Sequence, residues 1–229
     1  MGAIEDRGAI RARPEGASDT AGTGGPAQPV IAWSVAQRAK RGEVVSGDRY
    51  VVRHLRATTL VALIDGLGHG ANAAEAAERA VQALEAADGT DATLTALVRR
   101  CHDALRATRG AVMGLACFGL QLPTMQWLGV GNIEGVVVRA DATARPRRER
   151  LLVSAGIVGY HLPHLRASTL SLARDDVIVL ATDGIHPAFA DHLTDGALPR
   201  DLDQHLLAHY GHDADDALVL VARYLGGAP

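Results

Sequence analysis

The sequence predicts a single α+β domain built on antiparallel sheets. Apolar runs of strand length fall toward both ends of the chain, and between them two helical stretches follow one another with no strand separating them. The connections among the later strands are too short for parallel crossovers and favour hairpins. With 229 residues there is room for one well-buried core, and no internal repeat or second domain is visible. Aromatics make up only 3% of the chain, so that core must come from Val, Leu, Ile and Ala.

Residues 1–29 are rich in Gly, Ala, Pro and charge without periodicity, and read as a disordered or loosely ordered tail. The domain is expected over 30–229. Its first strand is VIAWSV at 30–35, and DRYVVRHL (48–55) and TTLVALID (58–65) form a pair around a short connection. From Ala71 the chain is dense in strong helix formers, and 92–109 repeats apolar residues at helical spacing. Gly-Thr-Asp at 89–91 reads as the break between the helices and the N-cap of the second. Strands return at 111–122, 124–130 and 134–140, followed by a basic, Pro-containing loop at 140–150. A buried strand, DVIVLATDGI (176–185), helical residues around 199–210 and a last strand, DDALVLVARY (215–224), complete the domain.

A net charge of −3 provides no electrostatic footprint for nucleic acid. No run reaches the ~18–20 apolar residues of a membrane span, and the N-terminus has no apolar core of a signal peptide. Cys101 and Cys117 lie in apolar or helical contexts and form no metal-ligand pair, as expected for free thiols of a cytoplasmic protein.

The stretch VALIDGLGHGANAAEAAERA (61–80) carries the first chemical signal. Gly66, Gly68 and Ala71 match a dinucleotide-binding fingerprint, but Asp65 puts a carboxylate where a pyrophosphate would settle. The strand that should follow the helix is also replaced by a second helix. The alternative is that Asp65 itself binds something. Asp183-Gly184 repeats the Asp-Gly pair at the end of another apolar strand, Gly47-Asp48 opens a strand, and Asp215-Asp216 opens the last one. Carboxylates brought together repel unless they take up protons or cations. An all-oxygen ligand set suits Mg²⁺ or Mn²⁺, and two such ions ~3.5–4 Å apart can clamp a phosphate. A lone Asp-Gly is ordinarily a turn or a helix cap, and spacing leaves both readings open.

The order of SGDRY, LVALIDGLGHGANAAEAA, DVIVLATDGI and DADDALVLVARY resembles the metal-dependent type-2C serine/threonine protein phosphatases (PPM), and more closely their bacterial SpoIIE-like branch. Within that branch GEVVSGDRYVV, WLGVGNIEGVV and SAGIVGY are similar to the RsbX type, which acts on stressosome proteins. The resemblance spans residues 30–225 and implies an αββα sandwich of two antiparallel sheets flanked by helices. It implies two Mn²⁺ or Mg²⁺ ions, with Asp65 bridging them, Gly66 offering its backbone carbonyl, Asp183 and Asp215 holding one ion, and Asp48 close by. The implied reaction is in-line attack of activated water on a phosphoserine or phosphothreonine, without a phosphoenzyme. The implied substrate is a phosphorylated STAS-domain or stressosome-type protein.

The chain departs from the wider family in three places. His69 stands four residues after Asp65, where eukaryotic members have a His two residues on; it is a candidate general acid or a packing residue of the turn. No equivalent of their N-terminal phosphate-binding Arg is visible, and Leu218 stands where Thr is frequent. A non-catalytic phosphoprotein-binding module on the same fold is the competing expectation. His205, His209 and His212 at helical spacing invite a zinc reading that no acid or thiol completes. The basic run 145–150 reads as a solvated loop, or else as a dock for an acidic partner, and Trp33 and Trp127 as core or sheet-face residues.

Overall fold

Alternation along one strand shows how the layers arise. In β3 (Thr58–Gly66), Leu60, Ala62 and Ile64 face one apolar core while Val61 and Leu63 face another. The computed structural model describes residues 29–55, 57–87, 93–193, 198 and 200–226. Residues 1–28 and 88–92 lie outside it, and with them nearly all of the expected tail and the Gly-Thr-Asp break at 89–91.

One sheet runs in the order β2 (Asp48–His54), β3, β4 (Ala111–Gly119), β5 (Thr124–Val130) and β8 (Val153–Ser154), with β9 (Ser168–Ser171) also on β5. The other runs β1 (Ile31–Arg38), β11 (Ala217–Tyr224), β10 (Val177–Ala181), β6 (Glu134–Val138) and β7 (Arg148–Arg150). Every pairing is antiparallel except the two-residue contact of β5 with β8.

Helices cover the outer faces. α1 (Ala71–Glu85) buries Ala73, Ala76, Ala77, Ala80, Ala83 and Leu84, a stripe at three- and four-residue spacing. Its small side chains let the helix lie close on the first sheet. α2 (Leu94–Leu105) buries Leu94, Leu97, Val98, Cys101 and Leu105 into the same core, and the Thr93 hydroxyl caps it by accepting from the Ala96 N–H at 3.2 Å. Over the second sheet, α3 (Phe189–His192) and α4 (Leu202–Tyr210) bury Phe189, Leu202, Leu206 and Leu207 against Val177, Val179 and Val219. Between the sheets, Leu63, Phe118 and Trp127 meet Ile178, Leu180, Leu218 and Tyr224. Each fully buried Leu or Phe contributes on the order of 1.5–3 kcal/mol. The result is the αββα sandwich that the family resemblance implied.

Three short elements were not legible in the sequence. β9 and α3 have four residues each, too few to show a period, and β7 interrupts the loop expected over 140–150. Cys101 and Cys117 are both buried and free, and burial pushes the Cys101 thiol up to about 12. Trp127 is buried and Trp33 is partly buried.

Candidate metal centre

The acids singled out by the sequence come together at one edge of the sandwich. Asp48 and Asp65 are register partners across β2 and β3. Asp183 leaves β10 two residues after Ala181, and Asp215-Asp216 lead into the neighbouring antiparallel strand β11. The Thr182 hydroxyl joins the two sheets here by donating to Asp48 Oδ2 at 2.8 Å. Thr182 is further fixed to β11 by its own N–H, which donates to the Leu218 carbonyl at 3.0 Å. Leu218 itself is buried between the sheets, so its apolar side chain is spent on packing.

The glycine of each Asp-Gly pair is required by space. A Cβ on Gly66 would sit 2.1 Å from the Ala73 carbonyl oxygen, and one on Gly184 would sit 1.9 Å from that of Asp216. Each aspartate is therefore delivered to the edge by a strand whose next residue must let another backbone pass.

Burial raises Asp48 and Asp65 far above the ordinary carboxylate range, and the negative charges of their acidic neighbours raise them further; the Thr182 hydroxyl partly offsets this at Asp48. Asp183 is raised by burial and by Asp215. Asp65 meets no hydrogen-bond donor among the described residues. Asp176, at the opposite end of β10, shows the contrast. It is 0% exposed as a residue, yet it accepts from Arg139 and from the Ala140 and Ala173 N–H groups, which makes it a satisfied structural acid.

The donor set is four carboxylates and a backbone carbonyl, all hard oxygen, and its surplus negative charge fits Mg²⁺ or Mn²⁺. Among the described residues no three side chains close on one point as a finished cage. Instead three of the four carboxylates turn to a local donor, Asp48 to Thr182, Asp183 to Asn132 and Asp215 to the Asp216 N–H at 2.9 Å, and Asp65 to none among the described residues. Each of these bonds engages a single oxygen of its carboxylate.

The sequence reading missed Asn132 and misplaced two residues it did single out, His212 and Asp216. Asn132, in the hairpin between β5 and β6, donates from Nδ2 to Asp183 Oδ2 at 2.8 Å; the Gly-Asn of VGNIEG is its only local signal. His212 places Nε2 3.0 Å from the Asp183 carbonyl oxygen, which can only accept, so Nε2 carries the proton. Asp216 is buried, and its two oxygens accept from the Lys40 and Gly47 N–H groups at 2.8 Å each. It therefore fastens both feet of the 40–47 loop, a task that adjacency to Asp215 could not reveal.

His69 sits on the turn after β3, about half exposed, with Nδ1 2.6 Å from Glu43 Oε1 and no bond to any of the acids. His205 and His209 stack on each other at 4.1 Å on α4, whereas His212 turns to Asp183, so the three do not converge. In the basic run, Arg148 binds the Ala190 carbonyl and Asp191, and Arg150 binds Glu134 and Asp191. These arginines stitch β7 to its surroundings.

A family model described as Stage II sporulation protein E (SpoIIE) matches residues 56–225, which include Asp65, Asp183, Asp215 and Asp216. The chain belongs to the SpoIIE family of phosphatases. A sequence search of curated proteins finds no match. Among solved structures, this SpoIIE-family chain is similar to one from "The bacterial stressosome: a modular system that has been adapted to control secondary messenger signaling". Identity there is 30% and the TM-score 0.71, over 84% of this chain and 99% of that one. RsbX in complex with magnesium shares the fold at 20% identity and TM-score 0.73, over 85% of this chain and 95% of its own. So does the structure of the PP2C phosphatase domain and a fragment of the regulatory domain of SpoIIE from Bacillus subtilis, at 20% identity and TM-score 0.73, covering 87% and 64%. Among the described residues no helix is long and apolar enough to cross a membrane.

Proposed function

We propose that this SpoIIE-family phosphatase removes phosphate from phosphoserine or phosphothreonine on a folded protein, using two Mn²⁺ or Mg²⁺ ions held at the acidic edge. The observation that carries this reading is the convergence of Asp48, Asp65, Asp183 and Asp215 at one edge, where burial and the neighbouring negative charges raise Asp48, Asp65 and Asp183. Asp65 would be the central ligand because it has no competing donor, with the Gly66 carbonyl beside it, and Asp183 and Asp215 would hold an ion from the facing sheet. Asp48 contributes from its bond to Thr182, near the metals. When bound, the metals supply an activated water and neutralise the phosphoryl oxygens.

The chain's own residues supply the rest. Glu43 Oε1 accepts from His69 Nδ1, which leaves Nε2 free to face the substrate; with the ring in its imidazolium form, Nε2–H is the proton that would pass to the departing seryl oxygen, leaving a neutral imidazole. The substrate we favour is a phosphorylated STAS-domain or stressosome-type protein in the cytoplasm, supported by the 30% identity to a stressosome chain.

The direct test is hydrolysis of p-nitrophenyl phosphate with Mn²⁺, with Mg²⁺ and with EDTA, in the wild type, Asp65→Ala and Asp183→Ala. Metal-dependent turnover that both substitutions abolish, with folding retained, is expected. Undiminished turnover in Asp183→Ala would sink the ligand assignment. Metal binding without any turnover would favour a phosphoprotein-binding module instead. For His69→Gln, hydrolysis of phosphoserine should fall about 10²-fold or more, while p-nitrophenyl phosphate, whose leaving group needs little protonation, should lose only a few-fold. Equal losses on both substrates would remove His69 as the acid.

A further inference from the structure

The strands that deliver Asp65 and Gly66 also deliver a cation. Gly66 is the register partner of Ala111, and the Leu67 N–H donates to the Gly110 carbonyl at 3.0 Å, so Arg109 runs alongside Gly68. A Cβ on Gly68 would lie 2.9 Å from Arg109 Nη1, and Gly68 has φ +89°, so the guanidinium lies across the open face of a glycine in the Asp65 turn. The backbone beneath it is firmly tied. The Gly110 N–H donates to Thr108 Oγ1 at 3.0 Å, and Ala111 and Val158 exchange N–H···O bonds at 2.9 and 2.8 Å.

Arg109 is exposed and makes no hydrogen bond or ion pair among the described residues. Arg139, Arg148 and Arg150, by contrast, are all matched to carboxylates. A planar fork of free donors beside a carboxylate cluster is suited to an anion that reaches the cluster through cations, and a phosphoryl group is such an anion.

We infer that Arg109 is the substrate-binding residue that grips the phosphoryl oxygens pointing away from the metals. This inference rests on the phosphatase reading and adds a phosphate contact from the start of β4.

The test is calorimetric binding of inorganic phosphate to the Mn²⁺-loaded protein, together with KM for p-nitrophenyl phosphate. The variants are R109A, R109K and a control, R174A, which removes an exposed arginine from the turn before β10. In R109A, phosphate affinity should fall and KM rise by about ten- to a hundredfold. R109K should recover part of this, and R174A should change neither. Mn²⁺ titrations should be the same in all variants, and R109K decides the matter if R109A does not fold. Phosphate affinity and KM within about twofold of wild type would overturn the inference, as would an equal loss in R174A or a wild type that binds no phosphate. If the wild type binds phosphate through Arg109 but turns over no ester, the inference holds and the phosphatase reading fails.

Discussion

Asp183 is held by two residues that come from different parts of the chain: Asn132, 51 positions upstream, and His212, 29 positions downstream. Such outer contacts fix the direction in which a ligand's free oxygen points, and removing one ordinarily costs 10- to 100-fold in metal affinity. Asn132→Ala should therefore weaken Mn²⁺ binding by about that factor in a calorimetric titration, with little change in the melting temperature of the metal-free protein. Unaltered affinity would show that Asp183 finds its orientation without help. The proposed ligands were legible as acids at strand mouths, because a carboxylate next to Gly after an apolar run is a local pattern. Asn132 and Glu43 were not, because an amide or a carboxylate in a loop acquires meaning only from what lies across the fold.

At the scale of elements, two acids adjacent in sequence divide the labour. Asp215 is the one proposed as a metal ligand, while Asp216 is bound to both ends of the 40–47 loop. Asp216→Asn replaces one accepting oxygen with a donor that must face an N–H, and should cost about 1–3 kcal/mol in urea unfolding. A stability within error of wild type would mean that the loop is held elsewhere. The arginines of β7 make the opposite case. Their partners are partly exposed carboxylates and a carbonyl, so neutralising Arg148 and Arg150 together should cost no more than about 1 kcal/mol and leave turnover of protein and aryl substrates alike unchanged. A selective loss against a phosphoprotein would restore the docking reading of this run. The long strands and both long helices were visible from their periods, whereas β9 and α3 are held by pairing and packing and had no period to read.

Across the whole molecule, the acidic edge stores a pH-dependent instability. In the metal-free protein Asp48 and Asp65 bind protons more tightly folded than unfolded, since burial and repulsion disfavour their charged forms. Between the ordinary carboxylate value near ~4 and their raised folded values, the folded state carries the more protons, so stability falls as pH rises through that window. Metal binding displaces those protons, so the stabilisation it brings must grow with pH. Melting curves with and without Mn²⁺ at pH 5, 6.5 and 8 should show a gap that widens toward pH 8. A constant gap would mean that protons and metal do not compete for these carboxylates.

The sequence by itself determined the α+β class, the antiparallel strands and the candidate acids, because apolar alternation, helix-forming runs and Asp-Gly pairs are properties of neighbouring residues. Tertiary structure alone decided which acid serves which purpose. Asp176, Asp183, Asp215 and Asp216 are alike as side chains and lie close in sequence, yet Asp176 is neutralised by Arg139 and Asp216 by two loop amides. Only packing, by granting or withholding donors, leaves Asp65 with none and Asp183 and Asp215 with one neutral donor each, which is why these three are the proposed ligands of a cation.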